Sequence, residues 1–149
     1  MTGRRILPPT YFLAAIVLMA ALHWSAPVVS VIATPWNLVG ILPLALGVVL
    51  NLMADRAFAK HQTTVKPFEQ PRVLVTSGVF RFSRHPMYLG MVLMLIGIAL
   101  LMGSLSPFLI VGVFALLVDR LFITAEGAML SATFGEDWAN YKRSVRRWL

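Results

Sequence analysis

A short polar run and a distant glutamate are the residues of this chain whose types could do chemistry. Residues 84–88 read Arg-His-Pro-Met-Tyr and open a long uncharged stretch, where Pro86 suits the first position of a helix. The free N–H groups of that first turn favour an anionic group, and Arg84 adds positive charge. Glu126 lies beyond this apolar region and could bind an ammonium group or hydroxyls. Two plainer interpretations stay open: anchoring of the Arg-His-Pro run at lipid headgroups, and a salt bridge for Glu126.

The composition predicts that these residues belong to a membrane protein. The chain has 149 residues, of which 58% are hydrophobic and 13% charged, and its mean hydropathy is +0.79. Soluble domains have about 25% charged residues, and at this length they still leave about a third of their chain surface in water. A soluble fold of this length could not bury so much apolar surface away from water. A soluble enzyme, a disordered tail and a collagen-like chain are therefore excluded.

The charged residues and the potential metal ligands limit the kinds of molecule or ion that the protein could bind. The net charge is +7, from thirteen Lys and Arg against six Asp and Glu. In a membrane protein this excess indicates basic residues that face anionic lipid on the cytoplasmic side, rather than nucleic acid. Cysteine is absent, and the three histidines, His23, His61 and His85, lack the spacing of metal ligands. We therefore expect no metal site and no bound nucleic acid.

The positions of the charges predict an all-α membrane protein with about four transmembrane helices in a single domain, 1–149. Charge is absent from 6–54 and from 86–118, and Gly103 to Pro107 mark a hairpin within the second stretch. The predicted spans are 10–33, in which Pro27 would introduce a kink, 36–59, 86–102 and 107–125. Residues 60–85 and the tail 126–149 remain outside the hydrocarbon.

The tail predicts a C-terminal amphipathic helix. Its apolar residues are spaced by three or four positions, and Thr133 and Glu136 fit a capping box at its start. The stripe comprises Leu130, Phe134, Trp138, Tyr141, Val145 and Trp148. Tryptophan with arginine indicates a helix at the membrane surface, although a helix that covers a cofactor pocket would have the same pattern.

The distribution of basic residues predicts the topology. Arg4 and Arg5, the segment 60–85 and the tail carry basic residues, whereas the connections between helices one and two and between three and four carry none. The positive-inside rule therefore puts both termini and the central segment in the cytoplasm, in a cell (inner) membrane. The hairpin of helices three and four would then bring Glu126 beside His85 and Tyr88. S-adenosylmethionine has the carboxylate, ammonium group and ribose hydroxyls that such a site would bind.

Two long motifs resemble the signature of the isoprenylcysteine carboxyl methyltransferase and phospholipid methyltransferase families. The first runs from Leu74 to Gly90 and reads LVTSGVFRFSRHPMYLG, and residues 63–67 before it are also similar. The second lies in the tail, with Glu126, Leu130, the run FGE at 134–136, Tyr141 and VRRWL at 145–149. The resemblance covers roughly 58–149.

This resemblance implies an integral-membrane methyltransferase that depends on S-adenosylmethionine and acts on a hydrophobic or membrane-embedded acceptor. An isoprenylcysteine-like carboxylate or a phospholipid amine would fit. Carried over by position, the residues of the cofactor pocket would be Gly78, Arg84, His85, Pro86, Tyr88 and Glu126. One departure is Gly127, because the family usually has two consecutive glutamates where this chain has Glu126-Gly127.

The sequence leaves other functions open. A degenerate family member could act as a non-catalytic membrane scaffold, for which Gly127 is the main support. A small four-helix transporter would use Asp119, the acid near the end of a span. No catalytic residue is nominated: His85 could accept a proton, but a cofactor-binding or helix-capping role is favoured. The acceptor and the oligomeric state are not readable from the sequence.

Overall fold

The described part of the chain is helical, as the sequence predicts. A computed structural model describes residues 6–64, 66 and 68–149, so that Arg4 and Arg5, used for the topology, lie outside it. No strand occurs among these residues, apart from an isolated bridge between Ser30 and Ser104. The helices are α1 (Pro8–Ser25), α2 (Ile41–Lys60), α3 (Pro86–Met102), α4 (Ser106–Val118), α5 (Thr124–Phe134) and α6 (Glu136–Ser144). Short 3-10 turns cover Trp36–Gly40 and Gly78–Arg81.

Helix α3 begins and ends where the sequence predicts. Pro86 occupies its first turn, and Gly103 follows its end with φ +73, a left-handed conformation that glycine adopts without a Cβ clash. The Gly103 N–H donates to the Ala99 carbonyl at 3.1 Å, which closes the helix. The chain then turns directly into α4, so the predicted hairpin is confirmed.

Helix α1 is shorter than predicted, because it ends at Ser25 rather than at Ala33. Pro27 has no N–H to continue the helix and disfavours helical backbone at Ala26, so it terminates α1 instead of kinking it. The irregular segment that follows binds the turn after α3. The N–H groups of Val31 and Ile32 both donate to the Gly103 carbonyl, at 2.8 and 3.2 Å.

Helices α2 and α3 run antiparallel with their backbones in close contact at paired glycines. A Cβ at Gly97 would lie 2.6 Å from the Gly40 carbonyl oxygen and 2.7 Å from the Leu44 backbone nitrogen. A Cβ at Gly90 would lie 2.8 Å from the Gly47 carbonyl oxygen. Small residues of this kind allow membrane helices to approach and gain van der Waals contact. They fix α3 against α2 along most of its length.

The fourth helix continues beyond its predicted end at Ala125. A π-helical turn, Asp119–Ile123, joins α4 to α5, and the resulting helix runs 29 residues from Ser106 to Phe134. The Thr124 hydroxyl donates to the Asp119 backbone carbonyl at 2.9 Å, so this oxygen has a hydrogen-bond donor at the irregular turn. The charged residues 119 and 126 therefore lie on one continuous helix rather than on either side of a break.

The tail contains two helices where the sequence predicts one stripe. Gly135 has φ +49 and separates α5 from α6, and Thr133 lies inside α5 instead of capping α6. Helix α6 is nevertheless amphipathic, since it buries Trp138 and Tyr141 and exposes its acidic and basic residues. The apolar residues of the predicted stripe still face the protein, although a bend between the helices brings them there.

Three helices of the described chain are long and apolar enough to cross a membrane. They cover Pro8–Ser25, Trp36–Lys60 and Ser106–Phe134. Helix α3 is also apolar but has 17 residues. Its length of about 26 Å is slightly less than a typical hydrocarbon core. The protein is an integral membrane protein with transmembrane helices, and the total of four spans stays a prediction.

Two apolar clusters meet at the start of α3. The larger joins α1, α3 and α4, with edge-on contacts between Phe12 and Phe114 and between Tyr11 and Phe122. The smaller joins α2, the turn at 78–81 and the tail helices. Because residues 83–86 connect the two clusters, the predicted site lies between them.

The glycine contact between α2 and α3 gives a stability prediction. Gly97→Ala should lower the free energy of unfolding by about 1–3 kcal/mol, since its Cβ would overlap backbone atoms of α2. Gly112→Ala is the matched control, because no atom lies within 4 Å of its added Cβ, and it should raise stability by up to about 1 kcal/mol. Thermal unfolding in detergent measures both. Equal effects of the two substitutions would contradict the proposed packing.

Candidate functional site

The site is built around His85, the residue that precedes the first turn of α3. Its side chain is buried, with 5% of the residue exposed. Its backbone N–H donates to the Ser83 hydroxyl at 3.2 Å, and its carbonyl accepts from the Leu89 N–H at 3.0 Å. Proline at position 86 removes a donor that would be unsatisfied there. The His85 backbone is therefore fixed at the end of the bundle, and its side chain is buried there.

Glu126 faces this imidazole, as the hairpin of helices three and four predicts. Its Oε2 lies 3.6 Å from His85 Nδ1, an ion pair when the histidine is protonated. The Tyr88 ring stacks at a tilt beside His85, with 6.0 Å between the ring centroids. The predicted proximity of these three residues is confirmed, whereas their role in cofactor binding stays a prediction. The contact between His85 and Glu126 is thus present, and it lies at the wall of a cavity.

Arg84 is a half-buried cation whose guanidinium has no carboxylate partner among the described residues. Its backbone N–H donates to the Arg146 carbonyl at 3.1 Å, and its guanidinium carbon lies 5.7 Å from the centre of the Trp138 ring. The side-chain Nε is buried without a hydrogen bond. Burial, and then the nearby Arg147, lower the pKa of Arg84. An arginine pKa is normally far above neutral, so the group remains charged and can bind an anion.

The tail helix α6 is bound to the turn that precedes the site. The Tyr141 hydroxyl donates to the Phe80 carbonyl at 2.7 Å in a buried contact. Burial raises the pKa of Tyr141, although Arg84 acts in the opposite direction. The hydroxyl therefore stays protonated and can donate this bond at any ordinary pH. Because Phe80 and Trp138 belong to the same apolar cluster, the tail and the turn form one unit behind Arg84.

Three concave regions surround Arg84. The first, called here the apolar cavity, has a volume of about 260 Å³. It is lined by Leu7, Pro8, Pro9, Phe58, Lys66, Phe80, Arg84, His85, Pro86, Met87, Tyr88, Met91 and Glu126. A small cleft of about 50 Å³ adjoins it, and Arg84, Glu126, Trp138 and Tyr141 are among its lining residues.

The third region, called here the basic groove, has a volume of about 410 Å³. It is lined by Arg84, His85, Ile123, Thr124, Gly127, Ala128, Ser131, Trp138, Lys142 and Arg147. Arg84 and His85 line both the apolar cavity and the basic groove. Arg84 thus lies where all three regions meet.

The structure brings together five of the six predicted site residues. Arg84, His85, Pro86, Tyr88 and Glu126 all line the apolar cavity. Gly78 lines none of the three regions, and no atom lies within 4 Å of a Cβ added to it. Its φ of +62 instead permits the turn that leads to Phe80.

Several residues that line the regions were not predicted from the sequence. Leu7, Pro8 and Pro9 reach the apolar cavity because α1 begins at this end of the bundle, and no local sequence pattern indicates that. Trp138 and Arg147 come from the tail, whose amphipathic pattern did allow a helix that covers a pocket. Gly127, at the position of the missing second glutamate, lines the basic groove.

The loop after α2 supplies one further cation. Lys66 lines the apolar cavity, and its Nζ lies 3.3 Å from a carboxylate oxygen of Glu69. The Thr64 hydroxyl donates to the other carboxylate oxygen at 2.8 Å. The hydrogen bond from Thr64, followed by that from Lys66, lowers the pKa of Glu69. Lys66 is therefore paired, whereas Arg84 is not.

Comparison with known proteins decides the family. The family model for phospholipid methyltransferases matches residues 35–137, which is more than half of the chain. The chain belongs to the phospholipid methyltransferase family. The match includes the run 84–88 and Glu126, so the residues of the site lie inside the family region.

Relatives of this family member support the same assignment. A protein-S-isoprenylcysteine O-methyltransferase of Schizosaccharomyces pombe is 33% identical over 76 residues, which are 49% of this chain and 31% of that protein. An uncharacterized protein of Haemophilus influenzae is 36% identical over 63 residues, which are 42% of this chain and the whole of that protein. The chain thus spans less than a third of the length of the first relative.

A solved structure has a similar fold. The eukaryotic intramembrane Ras methyltransferase ICMT, an isoprenylcysteine carboxyl methyltransferase, matches with a TM-score of 0.61 at 23% identity. The match covers 95% of this phospholipid methyltransferase family member and 49% of the ICMT chain. At this identity the likeness shows the fold, and it agrees with the predicted all-α membrane architecture.

The bond between α6 and the turn gives a second prediction. Tyr141→Phe leaves the Phe80 carbonyl without its buried donor and should lower the free energy of unfolding by about 1–3 kcal/mol. Tyr11→Phe is the control, since its hydroxyl makes no hydrogen bond with a described residue. Thermal unfolding in detergent compares the two variants. An unchanged melting temperature for Tyr141→Phe would show that the tail is not held by this bond.

Proposed function

We propose that the protein transfers a methyl group from S-adenosylmethionine to a hydrophobic or membrane-embedded acceptor. One observation carries the proposal: an unpaired cation, Arg84, and a carboxylate, Glu126, line the same mostly apolar cavity. A ligand that suits this cavity has an anionic group, a cationic group and apolar parts. S-adenosylmethionine has all three.

The chemistry of the cavity residues fits this cofactor. The Arg84 guanidinium, with its buried and unbonded Nε, would hold the cofactor carboxylate. Glu126 would accept hydrogen bonds from the ammonium group or the ribose hydroxyls. Its side chain is 26% exposed, so it can bind a ligand while it faces His85. Lys66 suits the carboxylate less well, because Glu69 neutralises it.

The cofactor supplies an electrophilic methyl group, and the protein supplies position and surroundings. Positioning two reactants can supply much of the catalysis in such a reaction. Met91 and Tyr88 give the cavity apolar walls beside the bound acceptor. If the acceptor is an amine, the His85–Glu126 pair offers a place to hold the proton that it loses, with the imidazole 3.6 Å from the carboxylate. A carboxylate acceptor needs no base.

The apolar cavity favours an acceptor with a hydrophobic chain. Its wall contains Leu7, Pro8 and Pro9 from the start of α1 and Phe58 from the end of α2. Both are helices that expose large apolar side chains along their length, as expected of lipid-facing surfaces. An acceptor in the bilayer would therefore reach the cavity between the ends of these two helices. An isoprenylcysteine-like carboxylate and a phospholipid amine both suit such a route.

The orientation of the site in the membrane follows from the positions of its basic residues. The end of the bundle that contains Arg84 also carries Lys66, Lys142 and Arg147, and the opposite turn at 103–107 carries no charge. By the positive-inside rule this end faces the cytoplasm, from which a soluble cofactor would enter.

Of the two other functions that the sequence allows, the transporter has the weaker support. Asp119, on which it depends, lies 3.2 Å from the Arg147 Nε in an ion pair at the end of α4. The scaffold keeps Gly127 as its support, and cofactor binding discriminates between the scaffold and the enzyme.

Cofactor binding gives the third prediction. Glu126→Gln and His85→Ala should weaken S-adenosylmethionine binding, the first by about tenfold or more, because a charge-assisted hydrogen bond is lost. Isothermal titration calorimetry on purified protein measures the dissociation constants. Glu136→Gln is the control, since it removes a carboxylate from exposed α6 without altering the three regions, and its binding should equal wild type. Absence of binding by the folded wild-type protein would leave the scaffold interpretation.

The acceptor route gives the fourth prediction. Leu7→Trp places a larger side chain at the wall of the apolar cavity, so KM for the acceptor should rise by about tenfold, equivalent to about 1.4 kcal/mol. Ile6→Trp, one residue earlier and outside the lining, should leave KM unchanged. Ile6→Trp should also bind the cofactor like wild type, and KM for the acceptor is measured at saturating S-adenosylmethionine. If Ile6→Trp raised KM equally, acceptor entry at this point would be wrong.

The acceptor itself can be identified directly. Detergent-solubilised protein is incubated with methyl-labelled S-adenosylmethionine and a membrane lipid extract, and the labelled product is separated and identified by mass spectrometry. Labelling that depends on Glu126 would identify the substrate class.

A further inference from the structure

The basic groove has a chemical character that methyl transfer does not require. Three of its lining residues, Arg84, Lys142 and Arg147, are cations, and Thr124 and Ser131 add hydroxyl donors. No carboxylate is among the described residues that line it. It shares Arg84 and His85 with the apolar cavity but none of that cavity's apolar wall.

Arg147 is held in place, whereas Lys142 is free to bind a ligand. Its Nε lies 3.2 Å from Asp119 Oδ1, and its Nη2 donates to the Thr124 hydroxyl at 3.2 Å. Lys142 forms no ion pair with a described residue, and neither does Arg84. Asp119 therefore compensates one of the three positive charges, and the groove keeps an excess of positive charge.

The length of the last long helix places the groove at the expected depth of lipid headgroups. The continuous helix Ser106–Phe134 has 29 residues. At the usual rise such a helix is about 43 Å long, whereas a bilayer hydrocarbon core is about 30 Å thick. The helix begins at the uncharged turn, so its last third extends beyond the hydrocarbon. That part contains Gly127 and Ser131, which line the groove, and Thr124 lies at its edge.

We propose that the basic groove binds a phosphate group of a net anionic ligand, either the headgroup of an anionic lipid or a soluble phosphate ester. Lys142 would contribute charge, Thr124 and Ser131 hydrogen bonds, and Arg147 a fixed guanidinium. This ligand is not the methyl acceptor, because Met91, Tyr88 and Glu126 lie outside the groove lining. The proposal stands independently of methyl transfer.

The test compares ligands that differ in charge and in source. Detergent-solubilised protein is titrated with dioleoylphosphatidylglycerol, with dioleoylphosphatidylcholine and with glycerol phosphate, and bound ligand is counted by native mass spectrometry. We expect phosphatidylglycerol to bind more tightly than phosphatidylcholine, whose choline group would meet Lys142. Lys142→Gln should lower the affinity for the anionic ligand by about fivefold, the effect expected for one basic residue near an anionic lipid surface.

Arg143→Gln is the matched control. It removes one positive charge from the next position of α6, where the residue bonds Asn140 and does not line the groove. The affinity of this variant for the anionic ligand should stay within twofold of wild type. Binding of phosphatidylglycerol with this pattern supports a lipid headgroup, and the same pattern with glycerol phosphate alone supports a soluble ester.

Two outcomes would overturn the proposal. One is equal binding of phosphatidylglycerol and phosphatidylcholine without binding of glycerol phosphate, and the other is an equal loss in Lys142→Gln and Arg143→Gln. Both residues are exposed, so neither variant should unfold, and a thermal melt verifies this. The same variants are also titrated with S-adenosylmethionine. Lys142 does not line the apolar cavity, so cofactor affinity should not change, and failure of one proposal can be distinguished from failure of the other.

Discussion

The close approach of α2 and α3 is the contact on which the remaining structure depends. At Gly47 and Gly97 the backbone of one helix lies against that of the other, with no room for a side chain between them. Helix α3 is thereby fixed at the centre of the bundle, where α1 and α4 also pack against it. Since its first turn carries His85, the glycine contacts also fix the end of the bundle at which the polar residues collect.

The hairpin and the tail then complete the site from two directions. Gly103 reverses the chain so that Glu126 returns to His85, and the unbroken helix through residue 134 carries the tail beyond the bundle. Tyr141 binds the turn at Phe80, which closes the tail over Arg84. One half-buried cation thus borders two regions of different character: a cavity with apolar walls, and an open groove with positive charge. A methyl donor suits the first, and a phosphate group suits the second.

The relationship between charge and position explains how a chain with so few polar residues can form a binding site. Its membrane-spanning helices carry few charges, and an ionisable group that is buried away from water must be paired or must bind something. Asp119 and Arg147 pair with each other at the end of α4, and Lys66 and Glu69 form an ion pair in the exposed loop. Arg84 lacks such a partner among the described residues, which is why a ligand is expected there.

Much of this protein follows from its sequence, and the remainder required the fold. The uncharged stretches and the Pro86 and Gly103 boundaries determined a helical membrane protein, the limits of α3, and the return of Glu126 to His85, since apolar length and turn chemistry are local properties. The end of α1 and the bend at Gly135 were mispredicted, because a proline such as Pro27 can either kink or end a helix, and Gly135 adopts a positive φ that its neighbours do not indicate. Tertiary structure alone decided which residues line the cavity and the groove, since side chains distant in sequence meet there only after the helices have packed.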